Sequence, residues 1–111
     1  MTAPPIEISV SEVKALLDEQ AAFLLLDCRE DNEHALAHID GAVQIPMGSL
    51  PDRIHEIEAF RELPIVVHCH HGGRSLRVAN WLRNKGFANA RNMTGGIDAW
   101  SQEVDSSVER Y

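Results

Sequence analysis

The sequence predicts an α/β domain built on a mostly parallel sheet, and three observations carry that reading. Two short, continuous apolar runs, Phe23-Leu24-Leu25-Leu26-Asp27-Cys28 and Pro64-Ile65-Val66-Val67-His68-Cys69, have the length and composition of strands buried on both faces. Segments with helical periodicity alternate with these and with shorter strand-like pieces. The chain is 111 residues long, 44% hydrophobic and 24% charged, which suits one compact globular domain over residues 1–111. A domain of this size buries roughly 60–70% of its unfolded surface and needs no metal or disulfide to fold.

The elements follow in order. Ile6 to Ile8 reads as a short strand. Ser9-Val10-Ser11-Glu12 has capping-box spacing, with Ser9 as N-cap and Glu12 at the third helical position. Val13, Leu16 and Leu17 then continue a helix to about Glu19. The run Phe23–Cys28 is the first buried strand. Residues from about Glu30 to Ala37 are good helix formers. Ala42-Val43-Gln44-Ile45 before Pro46 is another short strand, and a weak helix is expected over about Gly48 to Ala59. Pro64–Cys69 is the second buried strand. Beyond Gly72-Gly73, the residues Ser75, Leu76, Val78, Ala79, Trp81 and Leu82 form an amphipathic helix that Lys85-Gly86 closes. Ala90 to Met93 is a last strand, and Ile97 to Val104 follows Gly95-Gly96 as a helix. Trp81 and Trp100 read as core residues, and the charge run Asp52 to Glu62 as a solvated surface.

Composition excludes several functional classes. The net charge of −7 argues against binding nucleic acid or an anionic membrane through bulk charge. No apolar run of about 18 residues is present, so no transmembrane helix is expected. Met1 to Val10 has neither a basic stretch nor a long apolar core, so no secretory signal is expected, and a cytoplasmic location follows. Two cysteines, Cys28 and Cys69, are too few for a disulfide framework or a four-cysteine zinc site.

The informative segment is Val67-His68-Cys69-His70-His71-Gly72-Gly73-Arg74-Ser75. Sites in parallel α/β sheets form where the carboxyl ends of strands meet helix starts, and His68-Cys69 lies at such an end. The glycines let the backbone curl around one point. Successive N–H groups in a curl make an anion-binding nest, and the following helix adds the positive end of its dipole. Arg74 adds a permanent charge with forked donors. A cysteine in that setting has a lowered pKa and acts as a thiolate nucleophile. A buried thiol beside a simple turn is the plainer alternative. His68, Cys69, His70 and His71 are metal-ligand types, but adjacent residues do not all converge on one ion and no second ligand cluster is evident, so no metal is expected.

Three ordered motifs resemble the rhodanese-like sulfurtransferase family from about Ile6 to Trp100. Leu26-Asp27-Cys28-Arg29, Glu33, His38-Ile39-Asp40-Gly41-Ala42 and Ile45-Pro46 resemble its first signature. Cys69 to Ser75 resembles its active-site loop, and Asn92 to Trp100 its closing signature. The resemblance implies a rhodanese-like fold, a central parallel sheet flanked by helices on both faces, with the cysteine loop at its carboxyl edge. It implies Cys69 as the catalytic residue, taking a sulfane sulfur from a donor such as thiosulfate and passing it as a persulfide to cyanide, a thiol or a sulfur-carrier protein. It implies no cofactor. The backbone from His70 through His71, Gly72 and Gly73 to Arg74 becomes the anion cradle, and Arg74 the main charged contact to the donor. Related phosphatases of this fold carry a longer loop between cysteine and arginine; the four residues His70 to Gly73 resemble the sulfurtransferases. A phosphatase and a non-catalytic binding module are the alternatives.

Other residues carry smaller expectations. His70 and His71 either tune the thiolate or face solvent while their amides work. Ser75 donates to the sulfur, caps the helix start, or does both. Asp27 and Arg29 point to one side of their strand by alternation. The resemblance makes them supports of the catalytic edge, and the plainer reading is a structural ion pair with Glu33 or another partner. His38 resembles a structural histidine. Cys28 either resolves a persulfide into a disulfide or fills the core. The tail Ser101 to Tyr111 resembles the end of rhodanese domains fused to adenylyltransferases that activate sulfur-carrier proteins, which implies delivery of sulfur to a carrier. Alternatively, the tail simply packs against the domain.

Overall fold

Among the described residues, five strands, β1 (Glu7–Ile8), β2 (Leu24–Asp27), β3 (Val43–Gln44), β4 (Ile65–His68) and β5 (Ala90–Met93), form one sheet in the order β1-β5-β4-β2-β3. Every pairing is parallel. The computed structural model describes residues 3–111, so Met1 and Thr2 of the expected domain lie outside the described residues. β2 and β4 sit inside the sheet and are buried at every position. That is why each reads as an unbroken apolar run rather than an alternating one.

Helices α1 (Val10–Asp18), α2 (Asp31–Leu36), α3 (Leu50–Arg53) and α4 (Gly73–Asn84) connect successive strands, and α5 (Gly96–Glu103) follows β5. Register and alternation divide the core in two. Leu24, Leu26, Ile65 and Val67 face the layer of α3 and α4, where Leu50, Ile57, Val78, Ala79 and Leu82 meet them. Leu25 and Val66 face the other layer, packed with Val10, Val13, Ile97 and Trp100 of α1 and α5. Trp100 is buried as expected, whereas Trp81 is only partly buried at the edge of its cluster, under the Lys85 ammonium.

The Ser9 capping box forms in full. The Ser9 hydroxyl accepts from the Glu12 amide at 3.2 Å, and the Glu12 carboxylate accepts from the Ser9 amide at 3.4 Å. The weak helix expected over Gly48 to Ala59 is present as a helical segment of mixed winding rather than one α-helix. The segment is a 3-10 turn at Met47–Ser49, a single α-helical turn in α3 and a longer 3-10 stretch at Ile54–Phe60. Pro51 lacks an amide hydrogen at the start of α3. The tighter winding also aligns residues three apart, and the ion pairs Arg53–Glu56 and Glu58–Arg61 use that spacing. Among the described residues, no helix is long and apolar enough to cross a membrane.

Candidate active site

Cys69 follows the last residue of β4, and the loop from His70 to Gly72 leads into α4. Gly72 has φ of +112°, a conformation a side chain resists, and it turns its own amide back onto the Cys69 sulfur at 3.1 Å. The Ser75 amide lies 3.4 Å and the Ser75 hydroxyl 3.2 Å from the same sulfur. Burial pushes the Cys69 thiol up. The Ser75 hydroxyl, with the amides of Ser75, Gly72 and Arg74, outweighs it and brings the pKa below the ordinary thiol value. The donors come from Gly72 onward, so the inward-facing part of the cradle is its second half. Gly73 opens α4 at an ordinary helical angle, and only Gly72 of the pair uses the left-handed region.

The loop carbonyls are tied outward by the start of α5. The Ile97 amide donates to the Cys69 carbonyl at 2.9 Å, and the Asp98 amide to the His70 carbonyl at 3.1 Å. Free amides of a helix start thus satisfy loop acceptors. The approach requires glycine at position 96, since a Cβ there would fall 2.6 Å from the Cys69 carbonyl oxygen and 2.4 Å from that of His70.

The Ser75 hydroxyl has a single proton and two acceptors, the Cys69 sulfur and the Asn92 side-chain oxygen. Asn92 is oriented by donating its amide to both oxygens of Glu7, at 3.0 and 3.1 Å. Ionising Cys69 makes sulfur the stronger of the two acceptors. Asn92 and Glu7 were not legible as site residues from spacing, since they lie on β5 and the edge strand β1.

Arg74 does not project freely from the loop. Its two terminal nitrogens grip Glu33 at 2.7 and 2.9 Å. The Arg74 guanidinium, with smaller contributions from Tyr111 and the Glu30 backbone, holds the Glu33 carboxyl down at about 2. Arg29 pairs with Asp27 instead, at 2.8 and 2.9 Å, with both side chains fully buried. Burial raises the Asp27 carboxyl, but Arg29, His68 and His34 together bring it below the usual range. Arg29 also donates to the Ala37 carbonyl, to the Glu33 carbonyl at 3.2 Å and to the Tyr111 hydroxyl at 2.9 Å. Glu33 therefore meets Arg29 through its backbone and Arg74 through its carboxylate.

Tyr111 closes this network. Its hydroxyl donates to Glu33 at 2.8 Å, and its ring stacks on His70 at 3.9 Å and 6°. His71 stacks on the other face of His70, also at 3.9 Å. His71 is exposed, but His70 is partly covered and its Nε2 is buried without a partner. The expectation of two solvent-facing histidines thus holds for His71 and not for His70, because the tail folds back over the loop. His38 is exposed, and its Nδ1 lies 3.2 Å from the His34 carbonyl. His70, His71 and Asp98 bring ligand-type atoms within 4.8 Å of one another, closer than adjacent loop positions suggest. Arg110 and Gln102 already engage the Asp98 carboxylate.

Behind the loop, His68 is fully buried with neither ring nitrogen hydrogen-bonded, and burial lowers its pKa to about 4. Cys28 is buried on the opposite face of the sheet from Asp27, in the same core cluster as Cys69.

Comparison with known proteins places the domain as a whole. The chain matches the sequence profile of the rhodanese-like domain over residues 9–103. It is 37% identical over 109 residues to a maize (Zea mays) protein named adenylyltransferase and sulfurtransferase MOCS3-2, covering 94% of this chain but only 23% of that protein. It is 33% identical to a protein named sulfurtransferase from Allochromatium vinosum, covering 86% of this chain and 88% of the relative. The crystal structure of a rhodanese-like domain protein from Staphylococcus aureus superposes with a TM-score of 0.79 at 30% identity, covering 100% of this chain and 99% of that one. The cysteine loop, the parallel sheet and these matches agree: the chain belongs to the rhodanese-like domain family.

Proposed function

We propose that this chain is a sulfurtransferase. It moves a sulfane sulfur from thiosulfate or a similar donor, through a persulfide on Cys69, to a thiophilic acceptor such as cyanide, a thiol or a sulfur-carrier protein. The observation that carries the reading is the Cys69 sulfur held under two backbone amides and the Ser75 hydroxyl, with its pKa below the ordinary value. That setting favours the thiolate that attacks. The same donors stabilise the negative persulfide left behind.

The chemistry proceeds in two displacements. The Cys69 thiolate attacks the outer sulfur of thiosulfate, the donor's sulfur–sulfur bond breaks, and sulfite leaves with the electron pair. The acceptor then attacks the outer sulfur of the persulfide, and the Cys69 thiolate is regenerated. Names of relatives support this class: the Allochromatium vinosum protein is named a sulfurtransferase, and a Bacillus subtilis relative is named for sulfur carriage. Arg74 serves anionic donors at the rim, sharing its guanidinium with Glu33.

The test is the intact mass of the protein before and after thiosulfate, for wild type and Cys69→Ser. The reading requires a gain of one sulfur atom in wild type, its loss with cyanide, and no gain in the variant. An unmodified wild type after exposure to thiosulfate and to other sulfane donors overturns it.

A further inference from the structure

Cys28 and Cys69 occupy equivalent places on neighbouring parallel strands. The register of β2 and β4 pairs Leu24 with Ile65, Leu26 with Val67 and Asp27 with His68. Leu24, Leu26, Ile65 and Val67 all face the α3–α4 side. Continuing that series by one step on the same face sets Cys28 opposite Cys69. The ladder is still intact there, because the Cys28 amide donates to the His68 carbonyl at 3.1 Å. The Cys28 thiol also donates to that carbonyl, at 3.5 Å, and so lies against the peptide that leads into Cys69. Both cysteines are reduced, 1% exposed and members of one core cluster. Neighbouring strands run about 4.8 Å apart, and a disulfide bridges Cα atoms roughly 4.4–6.8 Å apart.

We propose that Cys28 is the resolving thiol of Cys69. When no acceptor takes the sulfur from Cys69, Cys28 closes a Cys28–Cys69 disulfide and releases hydrosulfide. This inference rests on the persulfide reading for its natural trigger. The step balances within the protein: the Cys28 thiol gives up its proton to the outer sulfur of the anionic persulfide, and the Cys28 sulfur attacks Cys69 Sγ. The bond from Cys69 Sγ to the outer sulfur breaks, and that sulfur departs with the electron pair as hydrosulfide. The sulfane sulfur is reduced, the two cysteine sulfurs are oxidised, and no outside oxidant enters. Direction favours the step. Cys28 approaches Cys69 from the core, while a donor delivers the outer sulfur from the loop side.

Rate restrains it. Burial, followed by the negative charges of Cys69 and Asp27, pushes the Cys28 thiol up to about 12, so little of the attacking thiolate exists near neutral pH. A waiting acceptor therefore wins, and resolution sets in only when acceptors run out. The disulfide stores Cys69 in a form that an external thiol can restore. A structural role for Cys28 as core filler predicts none of this.

The experiment loads wild type, Cys28→Ala and Cys28→Ser with thiosulfate, removes the donor, and follows each protein without an acceptor. Intact mass, non-reducing peptide mapping and released sulfide are recorded. Wild type is expected to lose the added sulfur and two hydrogens, to yield a linked Cys28–Cys69 peptide pair, and to release sulfide in equal amount. Both variants should keep the added sulfur about tenfold longer. A wild-type adduct that persists as long as that of the variants, with no linked peptide, overturns the proposal and leaves the persulfide reading intact. If neither thiosulfate nor another sulfane donor adds sulfur to wild type, the persulfide reading fails by itself. A second arm with oxidised glutathione then decides on Cys28, because attack of Cys28 on the Cys69–glutathione mixed disulfide releases glutathione and forms the same linkage. A mixed disulfide that persists equally in wild type and variants overturns the proposal. Peptide mapping of wild type needs no variant to fold.

Discussion

The Arg74 guanidinium lies on the Glu33 carboxylate through two parallel hydrogen bonds of 2.7 and 2.9 Å, joining residues 41 positions apart. Pairing of this kind fixes the fork geometrically as well as electrostatically. Under the proposed reaction, a donor anion would meet a cation already half satisfied. Removing Arg74 therefore does two things: it deletes a cation and leaves the Glu33 carboxylate facing the entrance. A charge-assisted contact contributes roughly 1.5–3 kcal/mol, so Arg74→Ala should raise the thiosulfate KM about tenfold or more. Adding Glu33→Gln to Arg74→Ala should recover part of that loss by removing the stranded charge. Steady-state kinetics with thiosulfate check both, and an unchanged KM in Arg74→Ala removes Arg74 from donor binding.

The Asp27–Arg29 pair sits beneath the rim with no exposure of either side chain. Breaking such a pair leaves a buried charge without its partner, at a cost of about 3–5 kcal/mol. Arg29→Met should lose stability in that range, since Asp27 would retain only His34 and a backbone amide. Urea unfolding at constant slope measures it. A loss well under about 1 kcal/mol would show the pair to be replaceable.

Acid stability carries the signature of His68. Its folded pKa is about 4, against an ordinary value of 6.5, because burial disfavours the charged ring beside Arg29 and His34 even with Asp27 attracting it. The unfolded chain therefore takes up this proton first as pH falls. The contribution is fully present above pH 6.5, declines below it, and is lost by about pH 4. The interval corresponds to about 3 kcal/mol. Glu33 acts with the same sign lower down: its stabilisation is present above about 4.5 and is lost as pH falls toward about 2. Unfolding measured from pH 7 down to 4 should show the decline in wild type and a flatter profile in His68→Leu. Identical slopes would remove His68 as the source.

Tyr111 covers His70 and bridges Arg29 to Glu33. Tyr111→Phe keeps the ring and removes the bridge, so stability should fall by about 1 kcal/mol while His70 remains covered. Tyr111→Ala should in addition expose the buried His70 Nε2. Acylation of His70 by diethyl pyrocarbonate, followed by peptide mass analysis, should then be faster in Tyr111→Ala than in wild type or Tyr111→Phe. Equal rates in all three would mean that the tail does not shield this ring.

Local and periodic features were the legible ones. The Ser9–Glu12 capping box depends on residues three apart, and both bonds form. β2 and β4 declared themselves as apolar runs because both their faces are covered. The loop from Cys69 to Ser75 is legible because its donors are local: backbone amides set by one glycine and a helix start, and the hydroxyl of Ser75 on that same helix start. The weak helix expected over Gly48 to Ala59 is legible in place, but its mixed winding is not, because composition does not distinguish three-residue from four-residue turns. The partners of Arg74 and Ser75, Glu33 and Asn92, come from α2 and β5. Such pairings are decided by tertiary packing, which spacing along the chain does not encode. The tail offered no periodicity at all, and only the fold shows that Tyr111 returns to the loop.

The grip of α5 on the cysteine loop has a dynamic consequence. The Cys69 and His70 carbonyls hang on the first amides of α5, and Gly96 lets the two backbones touch. The loop cannot swing outward without breaking the two hydrogen bonds that these amides donate. Opening of the site therefore bares the Ile97 and Asp98 amides while α5 stays wound, and the exchange of those two backbone hydrogens keeps time with it.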